Sequence, residues 1–168
     1  MQSALFRPEQ LARELPKEAE TEPGEFPRYF VAATVSSAPP GWMLRVGGLV
    51  ARPGRYPLAA LERLPRTDVR VRHYCVEGWS AVASWHGVRL RDLAEAVGAD
   101  ARAEYVEFRS FDVDREGRAY YSSWDRASAL HPQTLLAYGM NGERLAPGHG
   151  APLRLYSGVK LGYTMVST

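Results

Sequence analysis

Residues 68–80 read Asp-Val-Arg-Val-Arg-His-Tyr-Cys-Val-Glu-Gly-Trp-Ser, and this stretch decides how the chain is understood. Val69 and Val71 alternate with Arg70 and Arg72, the period of two that marks a strand with one buried face. Residues 68–74 are therefore read as a strand that delivers Cys75 to its end. The next five residues mix glycine and aromatic side chains, as a functional turn does. Cys75 is the single cysteine, which excludes an internal disulfide and any multi-cysteine zinc site. A free cysteine is most often a small buried hydrophobe, and composition alone favours that reading. As a thiolate it is instead a nucleophile and a soft metal ligand. The neighbours Arg72 and His73 would lower its pKa if the strand brings them close. Glu77, two residues on, is either a solvated loop carboxylate or a proton donor or acceptor beside whatever Cys75 holds.

Working outward, Trp85-His86-Gly87 reads as a break. Leu90, Leu93, Ala94 and Val97 then recur at helical spacing, and Gly98 stands where a C-cap glycine belongs. Upstream, 42–50 (WMLRVGGLV) reads as a strand, 52–55 as a turn, and 58–64 as a short helix. Downstream, 104–111 is strand-like and 112–117 a charged loop. Ser123 is placed as the N-cap of a short helix through Leu130, ended by His131-Pro132. Residues 135–140 form a strand, Asn141-Gly142 a hairpin turn, 152–156 another strand, and a last strand lies near the C-terminus. The polar first 27 residues predict a short helix near 8–15 and then an extended arm. The division expected is an N-terminal arm over 1–25 and one domain over 26–168, of α+β class with mixed β-sheets and short helices.

The length, 168 residues, suits one domain of ordinary size. With 45% hydrophobic and 24% charged residues the chain is not wholly disordered. Twenty-one basic against 19 acidic residues leave a net charge of +2, which gives no reason to expect a nucleic-acid partner. No run approaches the roughly 20 apolar residues of a membrane span. The N-terminus as written carries no targeting signal. The expectation is a cytoplasmic protein, or a periplasmic one whose export leader has been removed.

The four histidines, His73, His86, His131 and His149, make no metal-binding spacing. His149 lies in Gly-His-Gly-Ala-Pro, a loop that exposes backbone amides to a ligand. Arg154 alternates with Leu153 and Leu155. It either faces solvent or offers a guanidinium fork to a phosphate or polar ring. Lys160, Thr164, Ser167 and Thr168 place further donors close behind. There is no G-x-G-x-x-G, no P-loop and no serine-hydrolase elbow.

C-V-E-G-W-S at 75–80, followed by W-H-G-V-R-L-R-D-L at 85–93, resembles the molybdopterin-binding domain of the sulfite oxidase family. The nearest branch looks like the catalytic subunit of bacterial protein-methionine-sulfoxide reductases. Four more stretches match in order: 42–53 (WMLRVGGLVARP), 131–145 (HPQTLLAYGMNGERL), 148–155 (GHGAPLRL) and 159–163 (VKLGY). The resemblance implies a sulfite oxidase-like fold around one molybdenum–molybdopterin cofactor, with Cys75 ligating the metal. It sets Glu77 and Ser110 near the metal, His149 and Arg154 on the cofactor, and Lys160, Gly162, Tyr163 and Thr164 in the segment that wraps the pterin phosphate. Two lysines of the family pattern are replaced here by Thr164 and Ser167. The arginine pair that follows the metal cysteine in sulfite oxidases is absent, with Trp79 and Ser80 standing nearby.

The function implied is oxygen-atom transfer: reduction of a sulfoxide or N-oxide, in a small molecule or a protein. Electrons would come from a separate partner such as a haem protein. A non-catalytic molybdopterin-binding protein, sulfite oxidation, and a cofactor-free scaffold with a packed Cys75 remain the alternatives.

Overall fold

A computed structural model describes residues 10–22, 24–27, 38–113, 116–162 and 165. Its centre is an antiparallel sheet whose middle strands are buried on both faces. The elements in chain order are β1 (Leu44–Val46), β2 (Gly54–Tyr56), α1 (Leu58–Leu61), β3 (Arg66–Tyr74), β4 (Ser80–Arg89), α2 (Leu90–Val97), β5 (Tyr105–Val113), β6 (Ala119–Asp125), α3 (Arg126–Ala129), β7 (Thr134–Met140), β8 (Glu143–Arg144) and β9 (Arg154–Ser157). β3, β4 and β7 lie side by side, and the far edge of β7 pairs with β9 and then β8. Two further antiparallel pairs, β1–β2 and β5–β6, flank this sheet. The α+β class with mixed sheets and short helices is as expected.

One face of the central sheet packs Val69, Val71, Ala83, Trp85, Leu135, Ala137 and Tyr156. The other packs Val88, Leu136, Tyr138 and Leu155 against Leu90, Leu93 and Val97 of α2 and against Phe108 and Trp124 of the β5–β6 hairpin. A strand covered on both sides shows no alternation. That explains the main misreading. Trp85-His86-Gly87 is not a break but the middle of β4, bulged between His86 and Gly87. Gly87 is required by close approach, since a Cβ there would stand 2.1 Å from the backbone oxygen of Leu136.

Other boundaries moved for local reasons. β6 runs through Ser123, so the helix cap is Asp125, whose carboxylate accepts from the Ser128 amide at 2.9 Å. Within the 42–50 stretch Leu44–Val46 pair with β2, and Val50 makes a separate bridge to Ala99. Helix α2 and its left-handed Gly98 cap are as predicted. Residues 10–15 are not helical; residues 1–9 lie outside the described set. Glu14 instead bridges to Val71, and the Leu15 amide donates to the Arg70 carbonyl at 2.9 Å. Further along, Thr21 exchanges bonds with Val82, its amide donating to the Val82 carbonyl while its hydroxyl accepts from the Val82 amide. The arm thus lies along sheet positions that would otherwise leave peptide groups unpaired.

Candidate active site

The turn between β3 and β4 is built by its own backbone. Tyr74 and Ser80 form the last pair of the ladder. Inside it the Cys75 amide donates to the Trp79 carbonyl at 3.0 Å, and the Gly78 amide donates to the Cys75 carbonyl at 3.2 Å. Gly78 takes φ +89°, which other residues adopt at a cost. The closed turn holds Cys75, Glu77 and Trp79 together. The Cys75 thiol donates to Glu77 Oε2 at 3.8 Å, and the Trp79 indole N–H donates to the same oxygen at 3.2 Å. Cys75 is half-buried, whereas Val76, Glu77 and Gly78 are exposed. The thiol is therefore reachable from outside.

Behind the turn lies a buried cluster of rings and cations. His73 follows Val69 and Val71 on the inward face of β3 and is 3% exposed. Its ring lies 5.6 Å from Trp79, 5.9 Å from Tyr156, 6.4 Å from Trp85 and 5.8 Å from Phe26. Trp85 and Tyr156 stack at 4.4 Å. The Arg154 guanidinium lies 5.2 Å over the Trp85 ring and donates to the His149 carbonyl at 3.3 Å. His149 meets Phe26 edge-on at 5.6 Å. Gly162 closes on His73 so tightly that a Cβ there would sit 2.4 Å from Nε2.

Electrostatics follow from this burial. Desolvation, with the charge of Arg154 adding to it, pushes the His73 pKa down to about 4. His73 is therefore neutral at pH 7 and brings no charge to Cys75, contrary to the expectation for that neighbour. Arg72 points into solvent and reaches Ser80 Oγ at 3.4 Å. Burial lowers the Arg154 pKa, and ionised Tyr156 and Cys75 would each act to restore it. Burial likewise raises the Tyr156 phenol.

Among the sequence-identified residues, the structure brings Cys75, Glu77, Arg154, His149 and Gly162 around this cluster. Arg154 does not face solvent. Ser110 is buried on β5, on the same face of the hairpin as Trp124, and Lys160 Nζ lies 5.6 Å over the Trp124 ring. Tyr163, Thr164, Ser167 and Thr168 lie outside the described residues. His73, Trp85 and Tyr156 were missed as site residues. The alternation Val69, Val71, His73 was the available signal for the first.

The donor set suits a bound anionic group. Two buried polar atoms in the cluster, His73 Nδ1 and Arg154 Nε, have no hydrogen-bond partner among the described residues. Buried polar atoms normally find partners. Arg154 also has no carboxylate partner among the described residues, and an unpaired buried cation calls for an anion. No group of three or more His, Cys, Asp or Glu among the described residues could hold a metal ion by itself. A metal at Cys75 would thus take one thiolate from this chain and its other ligands from a bound cofactor. These features fit a dithiolene-bearing pterin with a phosphate and a molybdenum ion.

Comparison with known proteins agrees. A protein of Azospira oryzae carried under the name of a protein-methionine-sulfoxide reductase subunit, YedZ1, is 40% identical over 164 residues, covering 97% of this chain and 60% of its own length. The protein-methionine-sulfoxide reductase catalytic subunit MsrP of Xanthomonas axonopodis pv. citri is 34% identical over 147 residues, covering 82% of this chain and 45% of its own. The chain thus spans about half the length of these relatives. The crystal structure of the sulfane dehydrogenase SoxCD from Paracoccus pantotrophus shares the fold, with a TM-score of 0.64 at 22% identity over 75% of this chain and 36% of that one. Residues 31–167 match the family described as oxidoreductase molybdopterin binding domain. The chain, by that match, belongs to the oxidoreductase molybdopterin-binding domain family.

Proposed function

We propose that this chain reduces a sulfoxide or N-oxide at a molybdenum ion held by Cys75. The observation that carries the reading is the Cys75–Glu77 pair, an accessible thiol with a carboxyl group 3.8 Å away on an exposed turn. The bound cofactor supplies the two-electron redox chemistry. The chain supplies the rest. Cys75 anchors the metal, and Arg154 with His149 and the backbone near Gly162 holds the pterin and its phosphate. Ser110 and Lys160 add donors from the hairpin side. Releasing one oxygen as water consumes two protons and two electrons, and Glu77 is the proton donor the turn offers. Electrons come from a separate partner protein on this reading, in keeping with relatives named as subunits of a reductase. The substrate is a sulfoxide in a small molecule or in a protein, in keeping with what the relatives' names state of them.

Sulfite is disfavoured on this reading. The turn 75–80 carries one carboxylate and no cation. Arg109, an arginine that might have reversed this, is paired with Glu107 at 2.5 Å on an exposed strand face. Arg28 lies outside the described residues. On this reading Arg154 serves the pterin and its phosphate, not the substrate. The test is turnover by molybdenum-loaded protein of a panel of sulfoxides, an N-oxide and sulfite, with a reduced or an oxidised dye as appropriate. Oxide reduction with little sulfite oxidation is expected. Efficient sulfite oxidation without oxide turnover overturns the reading, and a loaded protein that turns over nothing is a cofactor-binding protein.

A further inference from the structure

We propose that Trp79 is a positioning residue that holds the Glu77 carboxyl group beside the Cys75 sulfur. The inference rests on the proposed function, in which both residues take part.

Glu77 is exposed and has two contacts among the described residues, the Cys75 thiol and the Trp79 indole N–H, both on Oε2. The first of these depends on a thiol proton. A thiolate bonded to a metal has none to donate. In the loaded protein the indole N–H is then the contact that keeps the carboxyl from swinging into water. Without it, a glutamate side chain samples its rotamers freely, and a proton donor acts only from within hydrogen-bond reach.

Trp79 is suited to this because its ring is held from behind. It tilts against His73 at 5.6 Å and 37°, and meets Phe26 edge-on at 6.1 Å and 82°. His73 in turn has no room to retreat, being pressed against Gly162. The Trp79 carbonyl also accepts the Cys75 amide, so the indole and the metal ligand are fixed by the same closed turn. The packed face of the ring and the N–H edge thus have different duties. A purely packing role would need the first alone.

The two duties separate in Trp79→Phe, which keeps an aromatic ring against His73 and Phe26 and deletes the N–H. Its effect is measured in the wild-type and Glu77→Ala backgrounds, on molybdenum-loaded protein. Trp79→Phe should lower kcat about tenfold with KM within about twofold, part of what a positioned proton donor contributes. In the Glu77→Ala background the same change should alter kcat less than about twofold, because nothing is left to position. Molybdenum content should stay at the wild-type level in both. In cofactor-free protein labelled with nitrogen-15, the indole N–H resonance lost in Trp79→Phe should be the one that moves upfield in Glu77→Ala, with the other indole resonances in place.

An equal loss of kcat in both backgrounds, or no loss, overturns the proposal. So does a Trp79 resonance indifferent to Glu77→Ala. Loaded wild-type protein that turns over none of the oxides refutes the reductase reading instead, and the resonance shift then decides the hydrogen bond separately.

Discussion

Replacing Arg154 by methionine should make the cofactor-free protein more stable and the loaded protein poorer in cofactor. The argument compares what the guanidinium gains with what its burial costs. It donates one hydrogen bond, to the His149 carbonyl, at a long 3.3 Å, worth about 1 kcal/mol. It lies 5.2 Å over Trp85, worth about 1 kcal/mol more. Against these stands a cation with no carboxylate partner among the described residues and a buried Nε with no acceptor. The effective cost of burying an ion is several kcal/mol. Methionine fills similar space without a charge, so Arg154→Met should stabilise the cofactor-free chain by about 1–2 kcal/mol. For a domain of this size that raises Tm by roughly 3–6 °C. The opposite holds with cofactor present. Losing a charge-assisted bond to an anionic group costs about 2–3 kcal/mol, roughly a 30- to 150-fold loss of retention. The first arm is a thermal and urea unfolding series on protein from a host unable to make molybdopterin. The second is molybdenum and pterin per chain in protein from a competent host. A variant that melts lower without cofactor and keeps full occupancy would show that Arg154 serves the core and not the ligand.

Cys75→Ser should remove molybdenum and abolish turnover while leaving the circular dichroism spectrum and Tm of cofactor-free protein within about 0.5 kcal/mol of wild type; metal retention at full turnover would end the assignment of the ligand. Gly87→Ala should cost about 3 kcal/mol or more, because the atoms a Cβ would meet are the backbone of Leu136 and Ala137 and have no rotamer to yield; an unfolding midpoint close to wild type would contradict the close approach. The pH dependence has a definite sign. His73 is pushed down to about 4 when folded, so between there and its ordinary 6.5 the unfolded chain binds more protons. Its contribution is present in full above pH 6.5 and is lost as pH falls, by about 3 kcal/mol once pH is below 4. His86 and His131 are lowered chiefly by burial as well and add loss of the same sign. Urea unfolding of cofactor-free protein at pH 7.5 and 4.5 should show a smaller difference for His73→Gln than for wild type, and equal differences would exclude His73 as the source.

The motif at Cys75 together with the stretches at 42–53, 85–93, 131–145, 148–155 and 159–163, in order along the chain, was enough to place this chain in its family and to single out Cys75, Glu77, His149 and Arg154. Motifs of this kind are local, and their order along the chain is a property of the sequence alone. The same is true of α2, whose helical spacing and glycine cap are written within nine residues, and of the Asn141-Gly142 hairpin. Strand β4 was not legible, because Trp85 and His86 are covered from opposite sides, by Tyr156 and Tyr138 of distant strands. A strand buried on both faces loses the alternation by which strands are recognised. The arm was misread for a related reason. Leu11 and Leu15 stand at helical spacing, and the open edge of β3 that captures Leu15 exists only once the sheet is assembled. Arg154 could be assigned to a ligand by resemblance but not by pattern, since alternation with Leu153 and Leu155 reads equally as exposure. Only the tertiary structure decided that it is buried. β9 docks on β7, a sheet edge turns inward, and the guanidinium is left over Trp85 beside His73 and Tyr156. Those rings come from β3, β4 and β9, so the cluster that defines the site is a product of strand order, which no local stretch of sequence encodes.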